Sequence, residues 1–158
     1  MSKLKFSFLV LMLMVSVSAS ADWAPADVQA ALKKMYPTAD DVAWSHDESY
    51  YVADFLMNGT KVWFDGQAQW VMQQTDWETM DEVPPAVYNA FAASEYSGGM
   101  VQNVTWVQFP KWQSIVAVEV GMANLQTKYQ ILFTPTGEII RARNVTYTYN
   151  PLGAATFL

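Results

Sequence analysis

The chain switches between two hydrophobic periods, and each switch marks a predicted element. Behind Pro25, the apolar residues Val28, Ala31, Leu32 and Met35 fall at i, i+3, i+4 and i+7, the spacing that lines one face of a helix. That helix is expected to stop before Pro37, because a residue preceding proline is pushed out of the helical region. From Val42 the period becomes two. Tyr51, Ala53 and Phe55 line one side of a predicted strand, and Tyr50, Val52 and Asp54 line the other. Asn58-Gly59 supplies a hairpin turn, since both residues tolerate positive φ. On the next strand Val62 and Phe64 oppose Lys61 and Trp63; Asp65-Gly66 then turns the chain, and Gln69 to Thr75 alternates again.

These phrases return at a spacing of roughly 60–70 residues, as in proteins built from internal repeats. Pro25, Val28, Ala31 and Leu32 are answered by Pro84, Val87, Ala90 and Phe91, and Val42-x-Trp44 by Val104-x-Trp106. Val62, Phe64, Ala68, Gln69 and Trp70 return as Ile131, Phe133, Gly137, Glu138 and Ile139. The second half is expected to place strands over Val101–Phe109, Ser114–Val120, Tyr129–Phe133 and Glu138–Asn144. The pattern predicts an α+β protein of two tandem units, each a helix followed by an antiparallel meander. Their expected bounds are 22–76 and 84–146, joined by an acidic linker over 77–83 and followed by a tail, 147–158, that lacks clear periodicity and could form an edge segment.

The N-terminus has the pattern of an export signal. Lys3 and Lys5 precede an apolar stretch from Phe8 to Val15, and Ala19-x-Ala21 is a small-x-small cleavage site, so residues 1–21 are expected to be removed after Ala21. The apolar stretch falls short of the roughly 20 residues a membrane span requires. Losing Lys3 and Lys5 takes nine basic residues to seven against fifteen acidic ones, a net charge of minus eight. That charge excludes a phosphate-backbone partner. It is in keeping with a periplasmic or secreted protein that does not insert into the membrane after cleavage.

Composition narrows the chemistry further. The chain has no cysteine, which excludes disulfides, thiolate metal sites and cysteine nucleophiles. An exported domain without disulfides must be held by its core, and 52% hydrophobic residues are enough to build one. His46 is the only histidine and sits in Ser45-His46-Asp47-Glu48, which reads as a polar turn rather than a triad or a zinc site. The pair Asp40-Asp41 and the run from Asp76 to Glu82 lack the ligand spacing and central glycine of a calcium loop. No cofactor, metal or catalytic residue is expected.

Several of these residues carry a resemblance. Tyr51-x-Ala53-x-Phe55-x-x-x-Gly59, Phe64-Asp65 and Trp70, with Tyr36-Pro37 and Val42-x-Trp44, resemble the PepSY-like, β-lactamase-inhibitor-like family exported by Bacteroidetes. The resemblance spans nearly the whole chain beyond the signal. It departs at Ala68, where the family's turn has glycine, and at Phe133-Thr134, which replaces Phe-Asp in the second half. It implies strands joined into one curved antiparallel sheet with helices on one face, and an open face that engages a protein. The inhibitory loop of the related β-lactamase inhibitor has no match here, so that activity is not carried over.

Alternation supplies the candidate surface. If Ala53, Phe55, Val62 and Phe64 face the helix, then Tyr50, Asp54, Lys61 and Trp63 face away. Glu119 is likewise out of phase with Val118 and Val120. An exposed tryptophan beside carboxylates is the composition of a binding surface. The candidate partner-binding residues are Tyr50, Asp54, Trp63, Trp112 and Glu119, with the aromatics as anchors and the acids meeting basic groups. The alternative is that the other copy or the tail covers Trp63. Trp44 and Trp106 are expected in the core. The expected function is a non-enzymatic exported module that binds a protein or peptide, with inhibition or regulation of a peptidase or other hydrolase as the second possibility.

Overall fold

In the computed structural model, which describes residues 24–158, the first change of hydrophobic period coincides with the end of a helix. Helix α1 (Ala26–Met35) follows Pro25 and buries Val28 and Leu32; Asp27 in its first turn and Lys33 and Lys34 in its last suit the helix dipole. Strands β1 (Val42–Asp47), β2 (Tyr50–Phe55), β3 (Thr60–Phe64) and β4 (Trp70–Asp76) come next. A 3-10 turn at Met80–Glu82 leads into α2 (Pro85–Ala92), which has proline in its first turn. Then follow β5 (Met100–Gln108), β6 (Ile115–Met122), β7 (Thr127–Phe133), β8 (Ile139–Asn144) and a short α3 (Ala154–Phe157). The expected export signal lies outside the described residues.

All eight strands join one open antiparallel sheet in chain order, with β1 and β8 at its edges. The two halves of the chain meet at β4 and β5, where Gln73, Gln74, Thr75 and Asp76 pair with Gln108, Val107, Trp106 and Thr105. Helix α1 covers Ala53, Phe55, Val62 and Phe64. Helix α2 covers Val104, Val116, Val118, Val120, Ile131 and Phe133. Strand alternation puts both clusters on one face of the sheet. Trp44 and Trp106 lie half-buried at the margins of these clusters, and Trp106 stacks on Trp77 with ring centroids 5.2 Å apart.

The opposite face has its own apolar cluster: Val52, Trp63, Met72, Val107, Ala117 and Leu132, packed against Ala154. This corrects two expectations. Helices α1 and α2 share a face, but α3 lies on the other one. The tail is no edge segment, because it crosses the second face and brings Leu152 and Phe157 onto the cluster.

Two turns after β3 and β7 are built alike. Asp65 Oδ1 accepts from the Gln67 and Gln69 amides, and Thr134 Oγ1 accepts from the Glu138 amide. Each turn closes through a residue of positive φ, Ala68 at 59° and Gly137 at 89°. Thr134 therefore takes over the work of Asp65, but Ala68 keeps a Cβ in a region that disfavours it. A Cβ on Gly137 would stand 2.5 Å from the Ala86 carbonyl oxygen. Ala68→Gly is expected to raise unfolding free energy by up to about 1 kcal/mol, and Gly137→Ala to lower it by about 2 kcal/mol or more. Denaturant titration of both variants measures the contrast.

Candidate binding face of the sheet

The face away from α1 and α2 is defined by how it holds the tail. Gln74 Nε2 donates to the Leu152 carbonyl at 2.6 Å, and Gln130 Nε2 to the Pro151 carbonyl at 2.7 Å. Arg143 donates to the same Pro151 carbonyl at 3.1 Å, to Thr156 Oγ1 at 2.7 Å and, through Nε, to Gln130 Oε1 at 3.1 Å. From the other edge, Asp47 Oδ2 accepts the Ala154 amide at 2.7 Å and the Trp63 indole N–H at 2.8 Å. Gly153 eases this approach, since a Cβ there would lie 3.1 Å from Asp47 Oδ2. Buried glutamines at these positions satisfy the rule that buried polar groups find partners, and those partners are main-chain atoms of the tail.

Two of the grooves beside the tail are lined by candidate residues. A polar one of about 470 Å³ is lined by Asp47, Lys61, Trp63, Asp76, Asn103, Thr105, Glu119 and Lys128, among others. An aromatic one of about 410 Å³ is lined by Tyr50, Trp70, Phe109, Trp112 and Phe157, with Lys111 at its side. The candidate residues divide between them. Tyr50 and Trp112 line the aromatic groove, and Trp112 is 77% exposed. Trp63 and Glu119 line the polar groove. Asp54 lies outside both and pairs with Lys61 at 3.2 Å.

Two residues are less accessible than their strand phase alone implies. Trp63 faces away from the helices as expected, yet it is only 4% exposed, because the tail covers it and Asp47 holds its indole. Glu119 occupies the expected face but is 7% exposed, and its Oε1 has no hydrogen-bond partner. Its charge is felt by Arg143, whose guanidinium is drawn below its usual value by burial first and by Arg141 next, with Glu119 opposing.

Asp47, Gln74, Gln130 and Arg143, which hold the tail, are the residues of this face that sequence reasoning missed. Ser45-His46-Asp47-Glu48 is not wholly a turn: β1 runs through Asp47, and the turn proper begins at Glu48, whose φ is 55°. His46 packs against Tyr51, the rings tilted by 53° with centroids 4.8 Å apart. Among the described residues, no group of three or more His, Cys, Asp or Glu is placed to hold a metal ion. None of the described helices is long and apolar enough to cross a membrane.

An open eight-stranded antiparallel sheet, with α1 and α2 on one face and the tail with α3 on the other, defines the class: an open-sheet α+β fold. Residues 48–141 match the family model described as putative beta-lactamase-inhibitor-like, PepSY-like, and the chain belongs to that family. It is 98% identical to a DUF2874 family protein from Bacteroides uniformis ATCC 8492, with 86% of this chain and 100% of that one covered and a TM-score of 0.84. A putative periplasmic protein from Bacteroides eggerthii DSM 20697 is 69% identical over 85% and 99% of the two chains, with a TM-score of 0.82. A BLIP-like protein from Bacteroides fragilis NCTC 9343 is 32% identical over 77% and 86%, with a TM-score of 0.69. The search of curated proteins found no match.

Proposed function

We propose that the protein is an exported, non-enzymatic module that holds a segment of a partner protein on the tail-bearing face of its sheet. One observation carries this reading: the face already grips a segment of irregular peptide through its main chain, at the Pro151 and Leu152 carbonyls and the Ala154 amide. Side chains that read a peptide backbone tolerate many sequences, and aromatic anchors nearby add affinity. Trp112 and Tyr50 serve as those anchors, Asp54 as a rim acid, and Trp63 with Glu119 as the floor of the neighbouring groove. Residues 22–76 and 84–146 are read as copies of one unit joined over 77–83, supported by the matching turns at Asp65 and Thr134. The export-type N-terminus, cleaved after Ala21, and the periplasmic description of a 69% identical relative support action in the periplasm or outside the cell.

The test uses the mature protein as bait in periplasmic extract. Because Trp112 is exposed, Trp112→Ala is expected to leave stability within about 0.5 kcal/mol of the parent. Capture of the partner should fall about tenfold or more, as for a truncated aromatic anchor. Undiminished capture by the variant sinks the assignment of this groove. A second reading, regulation of a peptidase or other hydrolase, is favoured by the likeness to a BLIP-like protein over most of both chains. Inhibition of hydrolytic activity in the same extract by the mature protein separates it from binding without consequence.

A further inference from the structure

Glu119 lines the polar groove, and its unpartnered oxygen, Oε1, is buried in the wall of that groove rather than in the core behind α2. Strand β6 directs Val116, Val118 and Val120 to α2, and Ala117 and Glu119 to the other face. Glu119 stands between Asn103 of β5 and Gln130 of β7. A buried acceptor left unsatisfied is destabilising, more so when it is charged, so such an atom calls for a partner.

Two of the nearby cations have their donors directed to other groups. Arg143 directs its donors to Gln130, Pro151 and Thr156, and Lys61 is paired with Asp54. Lys128 lines the groove, but among the described residues it forms no ion pair with Glu119. The lining holds three carboxylates, Asp47, Asp76 and Glu119, against Lys61 and Lys128, and Asp54 offsets Lys61. Asn103 and Thr105 stand beside Glu119's strand, the Asn103 amide donating to Thr105 Oγ1 at 3.3 Å. That donation leaves the Asn103 carboxamide its carbonyl oxygen and one further N–H.

We propose that this groove receives an arginine side chain from the bound partner, its guanidinium pairing with the Glu119 carboxylate. A guanidinium fits the chemistry better than an ammonium. Its five N–H donors spread in a plane, so one group serves the buried carboxylate and the neighbouring amide and hydroxyl oxygens together. The groove volume of about 470 Å³ holds such a side chain with its backbone at the mouth. This site rests on the binding-module reading and specifies what that module selects: a segment with an arginine placed to reach Glu119 while an apolar residue meets Trp112.

The experiment titrates the mature protein with N-acetyl-arginine amide, observed by amide chemical shifts, and repeats it with the uncharged citrulline analogue. The arginine compound should move the Asn103, Thr105 and Glu119 signals and bind at least about tenfold more tightly than citrulline, as a charge-assisted bond requires. Glu119→Gln, nearly isosteric, should weaken arginine binding about 10–100-fold without lowering Tm. Equal binding of arginine and citrulline, or no shift with either because water alone fills the groove, overturns the proposal. Should the variant fail to fold, the arginine–citrulline comparison on the parent protein decides alone. Capture that depends on Trp112 but not on Glu119 also overturns it while leaving the binding-module reading intact. Glu119-dependent arginine binding with capture indifferent to Trp112 supports this site and counts against the aromatic groove.

Discussion

Removing residues 150–158 is expected to lower unfolding free energy by about 2–4 kcal/mol, because it uncovers an apolar cluster in the middle of a sheet face. Trp63, Met72, Val107 and Leu132 are each 4% exposed or less with the tail in place. Ala154, Leu152 and Phe157 are the groups that cover them. The polar atoms uncovered on Gln74, Gln130 and Arg143 return to water, so the loss is dominated by apolar exposure rather than by orphaned donors. Fluorescence should report it: emission shifts to the red in the truncated chain, and the shift largely disappears when Trp63 is replaced by Phe. The same truncation offers a direct view of the gripping function. A synthetic nonapeptide of residues 150–158 should bind the shortened protein in trans and restore the emission. If the truncated chain keeps its stability and its Trp63 emission, the tail is not what covers this face.

The consequence for partner binding is a division of the face. The tail occupies the centre, the aromatic groove opens beside Phe157 and Leu158, and the polar groove opens beside Asn150 and Pro151. A partner segment that enters either groove meets the tail at its flank. Variants that loosen the tail are therefore expected to alter affinity as well as stability, and the two effects are separated by measuring binding well below the unfolding temperature.

Much of the scaffold was legible because the core repeats a simple period. Val28 and Leu32, Ala53 and Phe55, Val62 and Phe64 are found buried on one side of the sheet, as their spacing requires. Ala68 and Gly137 close equivalent turns, so the departure from glycine in the first half is a local strain and not a change of register. The facing of Trp63 and Glu119 was legible from alternation, and cover of Trp63 by the tail is the alternative that the structure bears out, but the burial of Glu119 was not legible. Burial on an open face depends on what lies across it, and the tail's contacts are made through carbonyl and amide groups that every residue possesses. Nothing in Asn150-Pro151-Leu152-Gly153 marks those atoms as ligands for Gln74, Gln130 and Arg143. Asp47 was hidden for a related reason: a polar residue beside Glu48 reads as solvated until a donor from more than a hundred residues away is brought to it.

Asp47 carries the last and most localised of the large effects. One carboxylate oxygen takes both the Trp63 indole N–H, at 2.8 Å, and the Ala154 amide, at 2.7 Å. Hydrogen bonds to a charged acceptor contribute about 1.5–3 kcal/mol each, and removing the acceptor leaves two part-buried donors without it. Asp47→Ala is expected to lower unfolding free energy by about 2–4 kcal/mol, less than the sum of two such bonds because the tail can lift and admit water. Asp47→Asn keeps an oxygen but loses the charge, and should cost roughly half as much. Trp63→Phe removes one donor while largely keeping the ring's packing. The cycle formed by Asp47→Ala, Trp63→Phe and the double variant should therefore return a coupling energy of about 1 kcal/mol or more. Additive effects in that cycle would mean the indole bond contributes nothing to the latch. The amide of Ala154 gives an independent readout: its hydrogen-exchange protection should fall in Asp47→Ala while the α2-facing residues of β6 remain protected, because the tail opens as a local unit and the sheet does not.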